Sequence, residues 1–282
     1  MARSDPRRAA VVGSPIGHSL SPVLHEAAYR ELGLPWSYER IERDAAGLAG
    51  LAGELGPEWA GLSVTMPGKH AALRLAERAT ERAAAVGVAN TLTRSETGGW
   101  DADCTDVDGV AGALRAAGGF TGGRSALVLG AGGTAAAAMA AFAELGLGEV
   151  TLAVREPARA GEVLATAERV GLSVAVERLD ELDLASVAAS VDVLVSTLPA
   201  GAADAFAPEL ARAACVLDVI YHPWPTPLAQ AVGKEGGRLA TGLDMLLHQA
   251  FGQVELFTGL PAPRVAMRDA LLSATGDVPL PL

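Results

Sequence analysis

Ser125–Leu145 reads SALVLGAGGTAAAAMAAFAEL, and the rest of the chain is best read outward from it. SALVL has the composition of a buried strand, GAGG is a turn, and the alanine-rich run that follows suits a helix. Ser125 to Ala143 carries no charge over 19 residues, close to the length of a membrane span. A glycine turn at its centre and alanine through much of the rest argue instead for a buried strand, a turn and a helix. Gly130, Gly132 and Ala135 satisfy G-x-G-x-x-A directly after the strand. Glycines there permit a tight turn and close approach of a pyrophosphate, whose charge meets the N–H groups at the helix start. The plainer alternative is a tight strand-to-helix turn and nothing more.

The rhythm around this segment is regular. Strands are predicted near 125–129, 149–154, 173–177, 191–196, 214–219 and 238–240, separated mostly by stretches of helical length. Such units imply an α/β fold with a parallel sheet covered on both faces. Upstream, residues 9–13, 36–42 and 60–65 read as extended, and 45–55 and about 68–87 as helical. A helix from Pro22 to Leu32 is expected, with Ser21 as its N-cap, Pro22 at N1 and Gly33 as its stop. A hairpin is predicted around Gly98–Gly99, then a helix over about 106–117. Two helices, about 243–257 and 264–275, close the chain without a further strand.

The chain has 282 residues, which at roughly 150 per domain suggests two domains. Its net charge is −11, with 4 % aromatic residues. That balance argues against binding to a phosphate backbone or stacking of single-stranded nucleic acid. The acidic excess lies beyond residue 100, where 22 acidic residues face 11 basic ones. Cys104 and Cys215 are too few for a disulfide scaffold and lack zinc spacing, so a cytoplasmic protein is expected. MARSDPRRAAVVGSP at the N-terminus contains no secretory apolar region.

Two depletions single out residues. Of 22 basic side chains, only Lys69 and Lys234 are lysine, and Asn90 is the sole asparagine. Survivors of such a bias are enriched where the replacement fails, and arginine cannot release a proton near neutral pH whereas a desolvated lysine can. Lys234 lies in GKEGG, a loop composition; Lys69, after a strand-like run, is the better candidate. The second strand of the glycine motif ends at Val154 with no acid to bond a ribose. Arg155 and Arg159 follow, which favours the 2′-phosphate of NADP, although Glu156 could bond a ribose hydroxyl or cap a helix at Pro157. DADCTDVDG concentrates Asp101, Asp103, Asp106 and Asp108, but neither register supplies the glycine and glutamate of a calcium loop. No metal is expected. Asp106 reads equally as an N-cap or a catalytic carboxylate, and Asp101 and Asp103 as solvated.

The segments GSPIGHSLSPVLH, SVTMPGK, GVANTL, DCTDVDG, LGAGGTA, DVIYHPWPTPL and GLDMLLHQA stand in an order that resembles the shikimate dehydrogenase family. The resemblance implies a substrate domain over 1–105, a Rossmann-like NADP domain over 106–241 across a cleft, and C-terminal helices over 242–282 returning to the substrate domain. It implies NADP-linked, reversible reduction of 3-dehydroshikimate to shikimate, on the way to chorismate and the aromatic amino acids. Lys69 and Asp106 match the catalytic pair. Ser19, Ser21 and Tyr221 match residues at the substrate carboxylate, and Thr65, Asn90 and Gln249 match groups that bond the ring hydroxyls. Gly130, Ala131, Gly132, Gly133, Thr134 and Ala135, with Arg155 and Arg159, match the cofactor site, and Gly242 and Met245 the positions beside its nicotinamide. The five histidines have no role in the match.

Three departures from the family pattern are lost asparagines, at Ser63, Cys104 and Val154. They put fine substrate and ribose contacts in question. Quinate or aminoshikimate as substrate, or a non-catalytic NADP-binding sensor on the same scaffold, are the alternatives. The expected partner is a small molecule, with no nucleic acid or membrane, for a monomer or homodimer.

Overall fold

The structure is a computed structural model in which residues 5–276 and 278–282 are described. Residues 1–4, the start of the stretch read for a targeting signal, lie outside them. The chain divides into two compact units, one running to Thr105 and resuming at Gln249–Leu280, the other Asp106–His248.

The first unit holds β1 (Arg8–Gly13), α1 (Ser21–Glu31), β2 (Ser37–Glu42), α2 (Leu48–Glu54) and β3 (Trp59–Val64). It continues through α3 (Lys69–Leu75), β4 (Arg78–Ala79), α4 (Glu81–Val86), β5 (Thr91–Arg94) and β6 (Trp100–Asp103). Its six strands are ordered β2-β1-β3-β5-β6-β4. β5 is antiparallel to both β3 and β6, and β5 and β6 form the expected hairpin. Alternate residues of β1 feed two cores, as the two-residue period of a strand requires. Ala10 and Val12 join Leu48, Leu51, Leu62 and Leu92, while Ala9 and Val11 join Tyr29, Tyr38 and Phe257.

The helical stretch predicted over about 68–87 holds two helices, with a short strand between them that the sequence did not suggest. Tertiary pairing overrides local propensity here. Glu77 N–H donates to the Trp100 carbonyl and Thr80 N–H to that of Ala102, drawing β4 alongside β6. Thr80 then restarts the helix, its hydroxyl accepting from Ala83 N–H at 3.2 Å.

The second unit holds α5 (Asp106–Ala116), β7 (Ser125–Leu129), α6 (Gly133–Leu145), β8 (Glu149–Val154), α7 (Gly161–Val170), β9 (Ser173–Arg178) and α8 (Leu184–Ser190). It continues with β10 (Val193–Ser196), α9 (Ala207–Leu210), β11 (Cys215–Asp218), α10 (Pro227–Glu235) and β12 (Arg238–Thr241). All its strands are parallel, in the order β12-β11-β10-β7-β8-β9. Read from β9, this is the 3-2-1-4-5-6 order of a dinucleotide-binding sheet, with its switch point between β7 and β10. α6 packs against both α5 and α7, and Ala135–Phe142 are all buried. A helix covered on several sides has no place for charge, which accounts for the uncharged window. Among the described residues no helix is long and apolar enough to cross a membrane.

α11 (Gly242–Thr258) begins in the second unit and ends in the first, and α12 (Arg264–Thr275) packs against α1. Lys234, read as a loop residue, is exposed in the last turn of α10.

Candidate active site

Backbone bonds assemble the candidate substrate residues of the first unit. Thr65 N–H donates to the Val12 carbonyl at 2.9 Å, and Val64 N–H to the Asn90 carbonyl at 2.7 Å. Ala89 N–H donates to the carbonyl of Lys69, the first residue of α3, at 3.1 Å. Thr65, Lys69 and Asn90 are thereby held together where β3 ends.

Ser19 and Ser21 are buried and adjacent. The Ser21 cap expected from sequence is corrected: α1 starts at Ser21 itself, and its N-cap, Leu20, makes no side-chain bond. Ser19 takes that local role, its Oγ accepting from Ser21 N–H at 3.3 Å. Arg40 grips the Ser19 carbonyl through Nε at 3.0 Å and a second nitrogen at 2.6 Å.

Behind these residues runs a buried polar chain that sequence reasoning missed. Ser19 Oγ donates to Ser21 Oγ at 3.3 Å. Tyr38 donates to Ser63 Oγ at 2.6 Å, and Ser63 donates to Gln253 Oε1 at 2.8 Å. Gln253 Nε2 donates to Thr91 Oγ1 at 3.2 Å, and Thr91 donates to Asn90 Oδ1 at 2.8 Å. Asn90 Nδ2 then donates to Gln249 Oε1 at 2.9 Å. Ser63, which replaces the family's asparagine, is committed to this chain. His25 also joins it, 3.3 Å from Gln253 Oε1 and stacked on Tyr38 at 4.0 Å. Burial lowers the His25 pKa to about 3, so the ring is neutral at any working pH.

Asp103, expected to be solvated, is buried. Arg82 donates to both its oxygens at 2.7 Å, and Thr80 and Cys104 N–H also donate to it. Burial pushes its pKa up, but these bonds outweigh it and hold the carboxylate below its ordinary range. Asp101 pairs with Arg78 at 2.7 Å on the surface. The clamp on Asp103 anchors the segment leading to Asp106, which is 5 % exposed and is the first residue of α5. Lys69 and Asp106 belong to different units. Among the described residues, no three His, Cys, Asp or Glu side chains group to hold a metal.

In the second unit, Gly130 follows β7 with φ of +99°. A Cβ there would lie 2.6 Å from Oγ1 of Thr197, the residue after β10, so the two strand ends approach closely at the switch point. Ala131, Gly132, Gly133 and Thr134 carry the turn into α6, and Ala135 is fully buried beneath it. Nothing lies within 4 Å of a Cβ built on Gly132. Arg155 and Arg159 are exposed just past β8, and neither has an ion-pair partner among the described residues. Glu156 is the N-cap of the turn Pro157–Ala160 but makes no side-chain bond there. An open glycine turn, a thirteen-residue helix start and two unpaired guanidiniums fit a phosphorylated dinucleotide. Tyr221 is half-buried, and burial raises its pKa. A Cβ on Gly242 would strike the Val219 carbonyl, so this position keeps the loop before Tyr221 seated on α11. Met245 is 8 % exposed and packs as core. Asp244 nearby has its pKa raised to about 6 by burial, against two bonds from Thr241.

Residues 11–92 match the model of the family described as the shikimate dehydrogenase substrate binding domain. Residues 242–272 match that of the shikimate 5′-dehydrogenase C-terminal domain. The chain is 42 % identical over 208 residues to shikimate dehydrogenase (NADP(+)) of Citrifermentans bemidjiense, covering 71 % of this chain and 70 % of that one. The crystal structure of Mycobacterium tuberculosis shikimate dehydrogenase is 55 % identical with a TM-score of 0.89, over 95 % of this chain and 100 % of that one. The Thermus thermophilus enzyme, solved in complex with NADP(H) and shikimate, is 34 % identical with a TM-score of 0.81, over 95 % and 99 %. The chain belongs to the shikimate dehydrogenase family.

Proposed function

We propose that the protein catalyses the NADP-linked, reversible reduction of 3-dehydroshikimate to shikimate, a step of chorismate and aromatic amino acid biosynthesis. The observation that carries this reading is the pair Ser19–Ser21 together with the polar chain from Tyr38 to Gln249. A polyhydroxylated ring acid needs hydroxyl donors for its carboxylate and amides for its ring hydroxyls. Within one unit a bonded pair of serines supplies the hydroxyls, and a hydrogen-bonded chain from Tyr38 to Gln249 fixes the amides.

Ser19, Ser21 and Tyr221 are the residues assigned to the carboxylate, and Thr65, Asn90 and Gln249 orient the ring. NADPH, when bound at Gly130–Ala135 with its 2′-phosphate on Arg155 and Arg159, supplies the hydride for the C3 carbonyl carbon. Lys69 donates a proton to the carbonyl oxygen as it becomes a hydroxyl, and takes it back in the reverse direction. Asp106 accepts from a ring hydroxyl and steadies the ammonium of Lys69. Gly242 and Met245 shape the wall beside the nicotinamide. We place the enzyme in the cytoplasm, as a monomer or homodimer, in keeping with two buried cysteines that are not joined in a disulfide.

The test follows reduced-nicotinamide absorbance with purified protein, NADP or NAD, and shikimate or quinate. Shikimate with NADP should give the highest kcat/KM. Tight NADPH binding without turnover of either acid would overturn catalysis and favour a cofactor sensor.

A further inference from the structure

The loop between β11 and α10, residues 219–226, carries Tyr221 and hangs from one side chain. Asp218, the last residue of β11, is 3 % exposed. Its Oδ1 accepts from Ile220 N–H at 3.2 Å, which fixes the way out of the strand. Its Oδ2 accepts from the Thr226 hydroxyl at 2.7 Å, which fixes the way into the helix. Thr226 Oγ1 in turn accepts from Ala229 N–H at 3.1 Å and caps α10. One carboxylate therefore ties both ends of the loop. Between those ends, residues 221–225 form no hydrogen bond among the described residues, and Pro223 and Pro225 have no N–H to give. The Tyr221 hydroxyl is thus unspent, while its ring rests on Gly242, where a Cβ would lie 2.8 Å from Tyr221 Cδ1.

We infer that Asp218 is a positioning residue for substrate binding: through Ile220 and Thr226 it sets the loop so that the Tyr221 hydroxyl meets the substrate carboxylate. The inference rests on the assignment of Tyr221 to that carboxylate. A loop without bonds of its own samples many conformers, and a hydroxyl already held in place spares the ligand that ordering cost. Packing alone does not require an ion here. Burial raises the Asp218 pKa, so the carboxylate is kept against desolvation that an apolar side chain would avoid. Its distinctive property is two acceptor oxygens. An asparagine offers one, and a leucine none, so only an acid of this length can accept at both ends of the loop.

The test is a double-mutant cycle read from steady-state kinetics of the whole protein with NADP and shikimate. Tyr221→Phe should raise KM for shikimate about ten-fold or more, the loss of one bond to a charged group. Its kcat should change little, because that bond is made in ground and transition states alike. Thr226→Val removes the hydroxyl at nearly constant shape and should raise KM by a comparable factor. Thr226→Ser keeps both bonds and should stay near wild type. Tyr221→Phe combined with Thr226→Val should have a KM no higher than Tyr221→Phe alone, because the hydroxyl being positioned has gone. A purely structural Thr226 would give the same factor in both backgrounds. Loss of folded enzyme lowers kcat and leaves KM alone, which separates the cap bond to Ala229 from the effect on Tyr221. Asp218→Asn, with one acceptor oxygen, takes the place of Thr226→Val in the cycle if that variant does not fold. A wild-type KM in either variant, or factors that multiply with Tyr221→Phe, would overturn the inference and leave Tyr221 at the carboxylate. An unchanged KM in Tyr221→Phe would remove that assignment and the inference with it. If shikimate is not turned over, calorimetric binding of shikimate with NADPH, a pair that cannot react, reads the same cycle. The expected pattern there would support the inference and sink the proposed reaction, and no binding of shikimate would remove both.

Discussion

Thr197 Oγ1 donates to the Leu129 carbonyl at 2.8 Å, and it occupies the space a Cβ on Gly130 would need, 2.6 Å away. The glycine turn and the end of β10 are thus locked at the point where the strand order reverses. Gly130→Ala meets both this contact and a left-handed backbone, at a cost of about 1–2 kcal/mol. It should weaken NADPH binding more than ten-fold while calorimetric binding of shikimate persists. Unchanged NADPH affinity would show that the turn tolerates a side chain.

Arg155 and Arg159 answer a single question, which cofactor is used. A charge-assisted bond to a phosphate contributes ~1.5–3 kcal/mol. Arg155→Ala should raise KM for NADP more than ten-fold and leave NAD almost unaffected. Equal losses with both cofactors would dismiss the 2′-phosphate assignment.

Lys69 separates proton transfer from charge. If only charge were needed, arginine should serve, as it does almost everywhere else in this chain. A guanidinium stays protonated, so Lys69→Arg should lose ~10²–10⁴-fold in kcat, as should Lys69→Ala, with NADP still bound. Steady-state kinetics with cofactor fluorescence provide the measurement. Near-normal kcat in Lys69→Arg would reduce the residue to a charge clamp.

His25 makes stability depend on pH. Its folded pKa, about 3, lies below the ordinary 6.5, so the stability it contributes is present above pH 6.5 and is lost as pH falls toward 3. Each pH unit in that window costs up to about 1.4 kcal/mol. Asp244 acts oppositely: raised to about 6, it regains stability as pH falls through that value. His25→Phe keeps the stack on Tyr38 and removes the titration. Urea unfolding between pH 4 and 7 should therefore show a shallower acid loss in the variant. Parallel curves would mean the ring does not control this slope.

Local sequence was enough for the features whose causes are local. The glycine turn, the strand rhythm around it, the two guanidiniums after β8, and the singling out of Lys69 and Asn90 depend on residue type and short spacing. The family itself was legible from ordered motifs. Tertiary structure decided what depends on residues far apart. Ser63 and Gln253, 190 residues apart, meet because the end of α11 lies over the face of β3. The same packing gathers Tyr38, His25 and Gln253, which no sequence pattern singled out, behind Asn90 and Gln249. Pairing with β6 inserts a short strand into the helical stretch expected over about 68–87, and burial turns Asp103 from a solvated acid into a clamp. Short-range patterns report backbone preference and face. The direction of a buried hydrogen bond depends on which donor arrives from elsewhere in the fold, and no local pattern records that.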